Sequence, residues 1–195
     1  MTTIKLLSAV DLKSRFKKII PFMSTEETRY YLCGVRLVYT GGVLTATATN
    51  DRILCTMQWG LPEQEGEQKD FAVTCPAHAV KHLVKIISAK KKEDGGVLLN
   101  VSEDGSTIEF DFTEFKYKVK CIDGTYPDYS KIIPEGKDSL KTGLNAGYLV
   151  AVLNALGNSP VDIAVDDAAS AANQPHLFSS KDEDGIKCVI MPVRV

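Results

Sequence analysis

Apolar residues along the chain switch between a two-residue and a helical period, and the switch occurs three times. In the first stretch Thr3 to Leu7 reads as a strand, then Leu12, Phe16, Ile19 and Ile20 recur at helical spacing. Ser8 stands where its hydroxyl can accept a backbone N–H at a helix start, and Pro21 ends the helix. Tyr30 to Tyr39 and Val43 to Ala48 alternate as strands across Gly41-Gly42, which predicts a hairpin. Leu54 to Trp59 is a further strand, and the charged run Glu63 to Lys69 a connection.

The second stretch repeats the order. Asp70 to Thr74 is a strand, Pro76 suits a first helical turn, and Val80, Leu83, Val84 and Ile87 form an apolar face. Lys90 to Lys92 fall in the predicted last turn, where cations oppose the helix dipole, and Gly95-Gly96 ends it. Val97 to Val101, Thr107 to Phe112 and Phe115 to Ile122 read as strands, with a turn at Asp104-Gly105. In the third stretch Ser139 to Leu144 is a strand and Asn145 a cap. Tyr148, Leu149, Val152, Leu153 and Leu156 form the helical face, and Gly157 stops it. Val161 to Val165, His176 to Ser179 and Cys188 to Pro192 complete the set, with the small polar run Asp166 to Pro175 as a mobile loop. Three repeats over 195 residues give about 65 residues each. The expected fold class is α+β: three repeated strand–helix–strands units, with antiparallel sheets on one side and helices on the other. Residues 1–134 make one domain of two units, and 135–195 half of another.

Composition narrows the function classes. With 44% apolar and 25% charged residues the chain has the makings of an ordinary core. No run reaches membrane-span length and no signal-peptide pattern opens the chain, so a cytoplasmic location with no membrane partner is expected. The five cysteines (Cys33, Cys55, Cys75, Cys121, Cys188) fit no zinc spacing and read as buried free thiols. Net charge is −2, so any anionic partner must be met by a local cationic stripe rather than by the whole surface. His78 and His82 are one helical turn apart, but no Glu or Cys joins them at metal-ligand spacing, and the nearby lysines repel a cation. Gly41-Gly42 and Gly95-Gly96 lack what a phosphate loop needs. No nucleophile lies beside a credible base. The expectation is no enzyme activity, no cofactor and no metal.

An ordered series of short motifs carries more. Thr28-Arg29-Tyr30-Tyr31-Leu32 is followed by Ala48-Thr49-Asn50-Asp51-Arg52, then by Asp123-Gly124-Thr125-Tyr126-Pro127-Asp128-Tyr129, Leu153-Asn154-Ala155-Leu156 and Met191-Pro192-Val193-Arg194. The series resembles the bacterial DNA polymerase III beta subunit, or sliding clamp, family. Residues 1–134 are similar to the family's whole middle domain, and those from about 138 to 195 to the second half of its last domain. The family's loop usually reads Thr-Asp-Gly-His-Arg-Leu; here Asp51 stands in place of Gly, and Arg52-Ile53 in place of His-Arg. The resemblance implies a DNA clamp fold, a processivity factor that encircles double-stranded DNA, and DNA polymerase and clamp-loader partners held through short peptides. Family rings close from twelve units, so three units per chain imply four chains, with dihedral symmetry keeping neighbouring units alternating.

Two surfaces follow from the resemblance. Lys13 and Lys17 share one helix face with Arg15 and Lys18 on its flanks, and Lys81 and Lys85 repeat the spacing. Such cations offset phosphate charge without reading bases, as a sliding contact requires, although for any single lysine a solvated face is the stronger reading. The third helix has no Lys or Arg. A peptide-binding cleft is implied at Leu32, Thr49, Asp51, Arg52, Leu54, Pro127, Lys131, Ile132, Asn145, Tyr148, Val189, Met191, Pro192, Val193 and Arg194. Its apolar members suit a Leu or Phe anchor, worth about 1.5–3 kcal/mol each when buried. The rival reading is an interaction module that binds or sequesters clamp-binding peptides and forms no ring.

Overall fold

The helix starts are set by the caps that the sequence predicts. Ser8 Oγ accepts the Asp11 N–H at 3.0 Å, opening α1 (Ala9–Ile19), and Asn145 Oδ1 accepts from Gly147 and Tyr148 at 2.9 and 3.2 Å, opening α3 (Ala146–Leu156). Pro76 is the N-cap of α2 (Ala77–Ile86). The structure, a computed structural model, describes residues 1–6, 8–64, 66, 68–87, 96–129, 142–165, 173–180 and 186–193. It divides into two compact units, Met1–Asp128 and Tyr129–Val195. The boundary expected at 134/135 lies outside the described residues.

In the first unit the strands are β1 (Thr2–Leu6), β2 (Gly34–Thr40), β3 (Val43–Thr49), β4 (Leu54–Trp59), β5 (Phe71–Pro76), β6 (Val97–Val101), β7 (Thr107–Asp111) and β8 (Lys116–Lys120). They form two antiparallel four-stranded sheets, ordered β4-β3-β2-β5 and β1-β6-β7-β8. The two halves are equivalent, and each lends its opening strand to the other: β1 pairs with β6, and β5 with β2. α1 and α2 pack against each other, and α2 also covers β2. One apolar core runs through both halves. Phe16 of α1 stands edge-on to Trp59 of its own half at 6.5 Å and to Phe110 of the other at 6.0 Å.

The second unit holds α3, β9 (Asp162–Ala164), β10 (His176–Ser179) and β11 (Lys187–Ile190), with the sheet ordered β11-β10-β9. Its buried apolar core is Val152, Leu156, Phe178 and Ile190.

The structure corrects three element boundaries. Tyr30 to Leu32 are not strand: Glu27–Leu32 is 3-10 turn, closed by Arg29 N–H to Glu26 O at 3.0 Å and Cys33 N–H to Tyr30 O at 3.0 Å. Tyr and Leu favour strands, but here the two tyrosine rings meet edge to face, and a Cβ at Gly124 would crowd both tyrosine side chains. α2 ends at Ile86, because Ile87 is extended (φ −65°, ψ 118°), so the predicted last turn at Lys90 to Lys92 lies outside the described residues. The last strand of the first unit starts at Lys116 and stops at Lys120. All five cysteines are free. Cys75 and Cys121 are buried, whereas Cys33, Cys55 and Cys188 are half-buried rather than buried. Burial alone pushes the Cys55 thiol up; at Cys75 burial leads, with the nearby Cys121 adding to it. Cys121 itself is pushed up to about 11 by burial, so these thiols stay protonated and unreactive near neutrality.

Candidate functional site

Counted from their first residues, α1, α2 and α3 carry Lys13, Lys81 and Val150 at the fifth position and Lys17, Lys85 and Asn154 at the ninth. The two halves of the first unit therefore place lysine pairs at equivalent sites on two packed helices. Lys17, Lys18, Lys81 and Lys85 are exposed. Lys13 and Arg15 are half-buried and engaged within the protein. Lys13 Nζ donates to the Ile87 carbonyl at 2.6 Å, satisfying an open group at the end of α2. Arg15 forks onto Asp11 at 2.8 and 3.0 Å, donates to the Gln58 carbonyl at 2.8 Å, and lies 5.1 Å from the Trp59 ring centroid. These two hold α1 to α2 and to β4, while Lys17, Lys18, Lys81 and Lys85 are exposed on the same two helices.

The β3–β4 loop is tied by its own polar residues. Thr49 Oγ1 donates to the Ile53 carbonyl at 2.7 Å and accepts the Asp51 N–H at 3.2 Å. Asn50 Oδ1 accepts the N–H groups of Arg52 and Ile53, each at 3.1 Å. Asp51 has φ 72°, the left-handed region that favours glycine, and is the lone non-glycine there among the described residues. Its carboxylate pairs with Arg29. The sequence-predicted cleft residues thus have different fates. Thr49 and Leu32 are buried, Leu54 is half-buried, and Asp51, Arg52 and Pro127 are exposed, with Ile53 exposed beside them.

In the second unit Asn145 spends its side-chain oxygen on the helix cap, and Tyr148 stands 65% exposed one turn on. Val193 N–H donates to Gly143 O at 2.8 Å, so the tail is pinned beside the segment that leads into α3. Val189, Met191 and Val193 are exposed and Pro192 is half-buried. Six of the sequence-predicted residues (Asn145, Tyr148, Val189, Met191, Pro192, Val193) fall in this unit. Lys131, Ile132 and Arg194 lie outside the described residues.

A profile of the "DNA polymerase III beta subunit, central domain" matches residues 7–128. The chain belongs to the DNA polymerase III beta subunit family. A beta sliding clamp of Pseudomonas aeruginosa is 32% identical over 123 residues, 62% of this chain and 31% of that protein. One of Caulobacter vibrioides is 31% identical over 173 residues, 84% of this chain and 43% of that protein. The chain therefore spans less than half the length of these two relatives. Among solved structures, the Bacillus subtilis DNA polymerase sliding clamp matches with a TM-score of 0.68 at 20% identity, covering 99% of this chain and 64% of that one. The Helicobacter pylori beta clamp bound to a DNA ligase peptide matches with a TM-score of 0.73 at 18% identity, covering 99% of this chain and 50% of that one. Both show the fold, a DNA clamp fold of the α+β class.

Within that fold the sequence reading missed three features. Arg29 was not among the predicted site residues, although it pairs with both Glu26 and Asp51 and so steadies the β3–β4 loop. The 3-10 turn hid its proximity. Ile53 supplies the exposed apolar side chain next to Arg52. A cavity of about 610 Å³ opens beside Arg36, Asp104, Lys120, Cys121, Asp123 and Tyr126 and includes no predicted site residue. No group of three or more metal-ligating side chains occurs among the described residues, and no helix of the structure is long and apolar enough to cross a membrane.

Proposed function

We propose that this chain is a clamp-like DNA replication factor that encircles duplex DNA and tethers polymerase or other replication proteins by binding, without catalysis. The observation that carries the reading is the exposed lysine pattern, Lys17 with Lys18 and Lys81 with Lys85, at equivalent places on two packed helices of a clamp-family domain. Cations on rigid helices attract phosphates along any sequence, which permits sliding. A ring around the template keeps a bound polymerase at high effective concentration, so its release is followed by rebinding. The work is placed in the cytoplasm, where replication proceeds.

Partner proteins are held, in this proposal, through short peptides. Within the second unit, the exposed Tyr148, Val189, Met191 and Val193 offer apolar anchoring to such a peptide. The family relative bound to a DNA ligase peptide supports that mode of partner capture. Changing Lys17, Lys18, Lys81 and Lys85 to Glu tests the DNA face. The expected result is weaker DNA binding and a flatter dependence of log K on log salt. An unchanged salt slope sinks the assignment. A second reading, a peptide-binding module that forms no ring, is favoured by the absence of Lys and Arg from α3.

A further inference from the structure

The two halves of the first unit define what a half-domain needs. In each, the inward residues of the strand after the helix are sealed: Val35, Leu37 and Tyr39 on β2, and Val97, Leu99 and Val101 on β6, are at most 4% exposed. The other half does part of the sealing, because β5 flanks β2, β1 flanks β6, and α2 covers β2. β9 is the equivalent strand of the second unit. Ile163 pairs with Phe178 across β9 and β10, so both side chains project from the same face. Phe178 is fully buried, yet Ile163 is 60% exposed. β9 is also an edge strand, with no strand on its outer flank among the described residues.

The helix gives the same answer. The eighth residues of α1, α2 and α3 are Phe16, Val84 and Leu153. Phe16 is fully buried and reaches Phe110 of the other half, and Val84 is half-buried, whereas Leu153 is 41% exposed.

The residue three places before the helix points the same way. Thr74 and Gly143 each stand three residues before their helix. Each carbonyl accepts a backbone N–H from its own half, from Ile122 at 2.9 Å and Val193 at 2.8 Å. Thr74 pairs on its other side with Arg36 of the opposite half. Gly143 is bridged to Val193 alone among the described residues.

We propose that the second unit is a half-domain completed by the second unit of another copy of this chain. Each copy lays the segment around its Gly143 against the partner's β9 and its α3 over the partner's Ile163. One unit supplies both that segment and a bare strand flank, so two copies close reciprocally about a twofold axis, as the pseudo-equivalent halves of the first unit already do. This deepens the ring reading by naming a self-association surface, but it rests on the internal repeat and stands even if no DNA is encircled.

The test is light scattering on the full chain at micromolar concentration, with Leu153→Glu, Ile163→Lys and an equimolar mixture of the two variants. The wild type is expected at an even multiple of the chain mass. Each variant is expected to lose half of that mass or more. The mixture should regain it, because the introduced glutamate of one chain then meets the introduced lysine of its partner while the second, native contact is intact. Fluorescence of Trp59, the chain's sole tryptophan, reports that the first unit stays folded throughout. A wild type at single-chain mass, or variants with wild-type mass, overturns the proposal. So does loss in both variants with no recovery on mixing, whether from misfolding or from a different protein covering β9. Even-numbered assembly without retention on circular DNA keeps this inference and removes the ring.

Discussion

At the scale of single residues, Asp51 shows how an unfavourable backbone angle is tolerated. Most side chains cost about 1–2 kcal/mol in the left-handed region, and Asp costs less because its short carboxylate bonds locally. Asp51→Gly removes the strain together with the exposed Arg29 pair, worth at most about 1 kcal/mol, so its stability should stay within about 0.5 kcal/mol of the parent. Asp51→Val should cost about 1–2 kcal/mol in denaturant titration; equal stability of the two variants would contradict the strained loop. Asp104 offers a pH readout. The Ser102 hydroxyl, then the Ser106 N–H and hydroxyl, donate to it and hold its carboxyl at about 2, below its ordinary 3.8. A depressed carboxylate stabilises the fold above its unfolded pKa, and this is lost as pH falls through the folded value. Asp104→Asn should therefore lower stability at neutral pH and flatten the acid limb between about pH 4 and pH 2. An unaltered acid limb would remove Asp104 from that account.

At the scale of elements, Gly34 sets how closely β2 and β5 approach. A Cβ there would stand 2.3 Å from the Cys75 carbonyl oxygen, which is backbone and cannot swing aside. Gly34→Ala should cost about 1–3 kcal/mol as overpacking, read as a drop in denaturation midpoint; a neutral result would mean that the strands can part. Most elements were legible because cap and period agreed: Ser8 before Leu12 and Phe16, Asn145 before Val152 and Leu156. Tyr30 to Leu32 misled because aromatic and apolar residues favour strands, whereas here they form a 3-10 turn whose two tyrosine rings meet edge to face. The exchange of β1 and β5 between halves was not legible at all, since a repeat in sequence does not say which half its opening strand joins. The cationic helices were visible as spacing. That Lys13 and Arg15 would be drawn inward depended on the Ile87 carbonyl and the Trp59 ring, which only the folded chain brings near.

At the scale of the whole molecule, the central-domain profile matches residues 7–128, nearly the whole first unit, and the second unit shows one helix and one three-stranded sheet among the described residues. Seven of the thirteen exposed large apolar side chains among the described residues belong to the second unit. Its buried apolar core has four residues among those described. If the second unit is shared between two copies as proposed, its stability depends on concentration. Dilution should therefore lower the unfolding temperature of the second unit while leaving the Trp59-reported transition of the first in place. A single transition independent of concentration would contradict a shared half-domain.

Whether this chain acts by enclosing duplex DNA can be read from its retention on nicked circular DNA before and after one restriction cut. Enclosure requires that the protein comigrate with the circle at a salt concentration that abolishes simple electrostatic binding, and be released when the duplex gains ends. Equal retention on circular and linear DNA, or none on either, would contradict it.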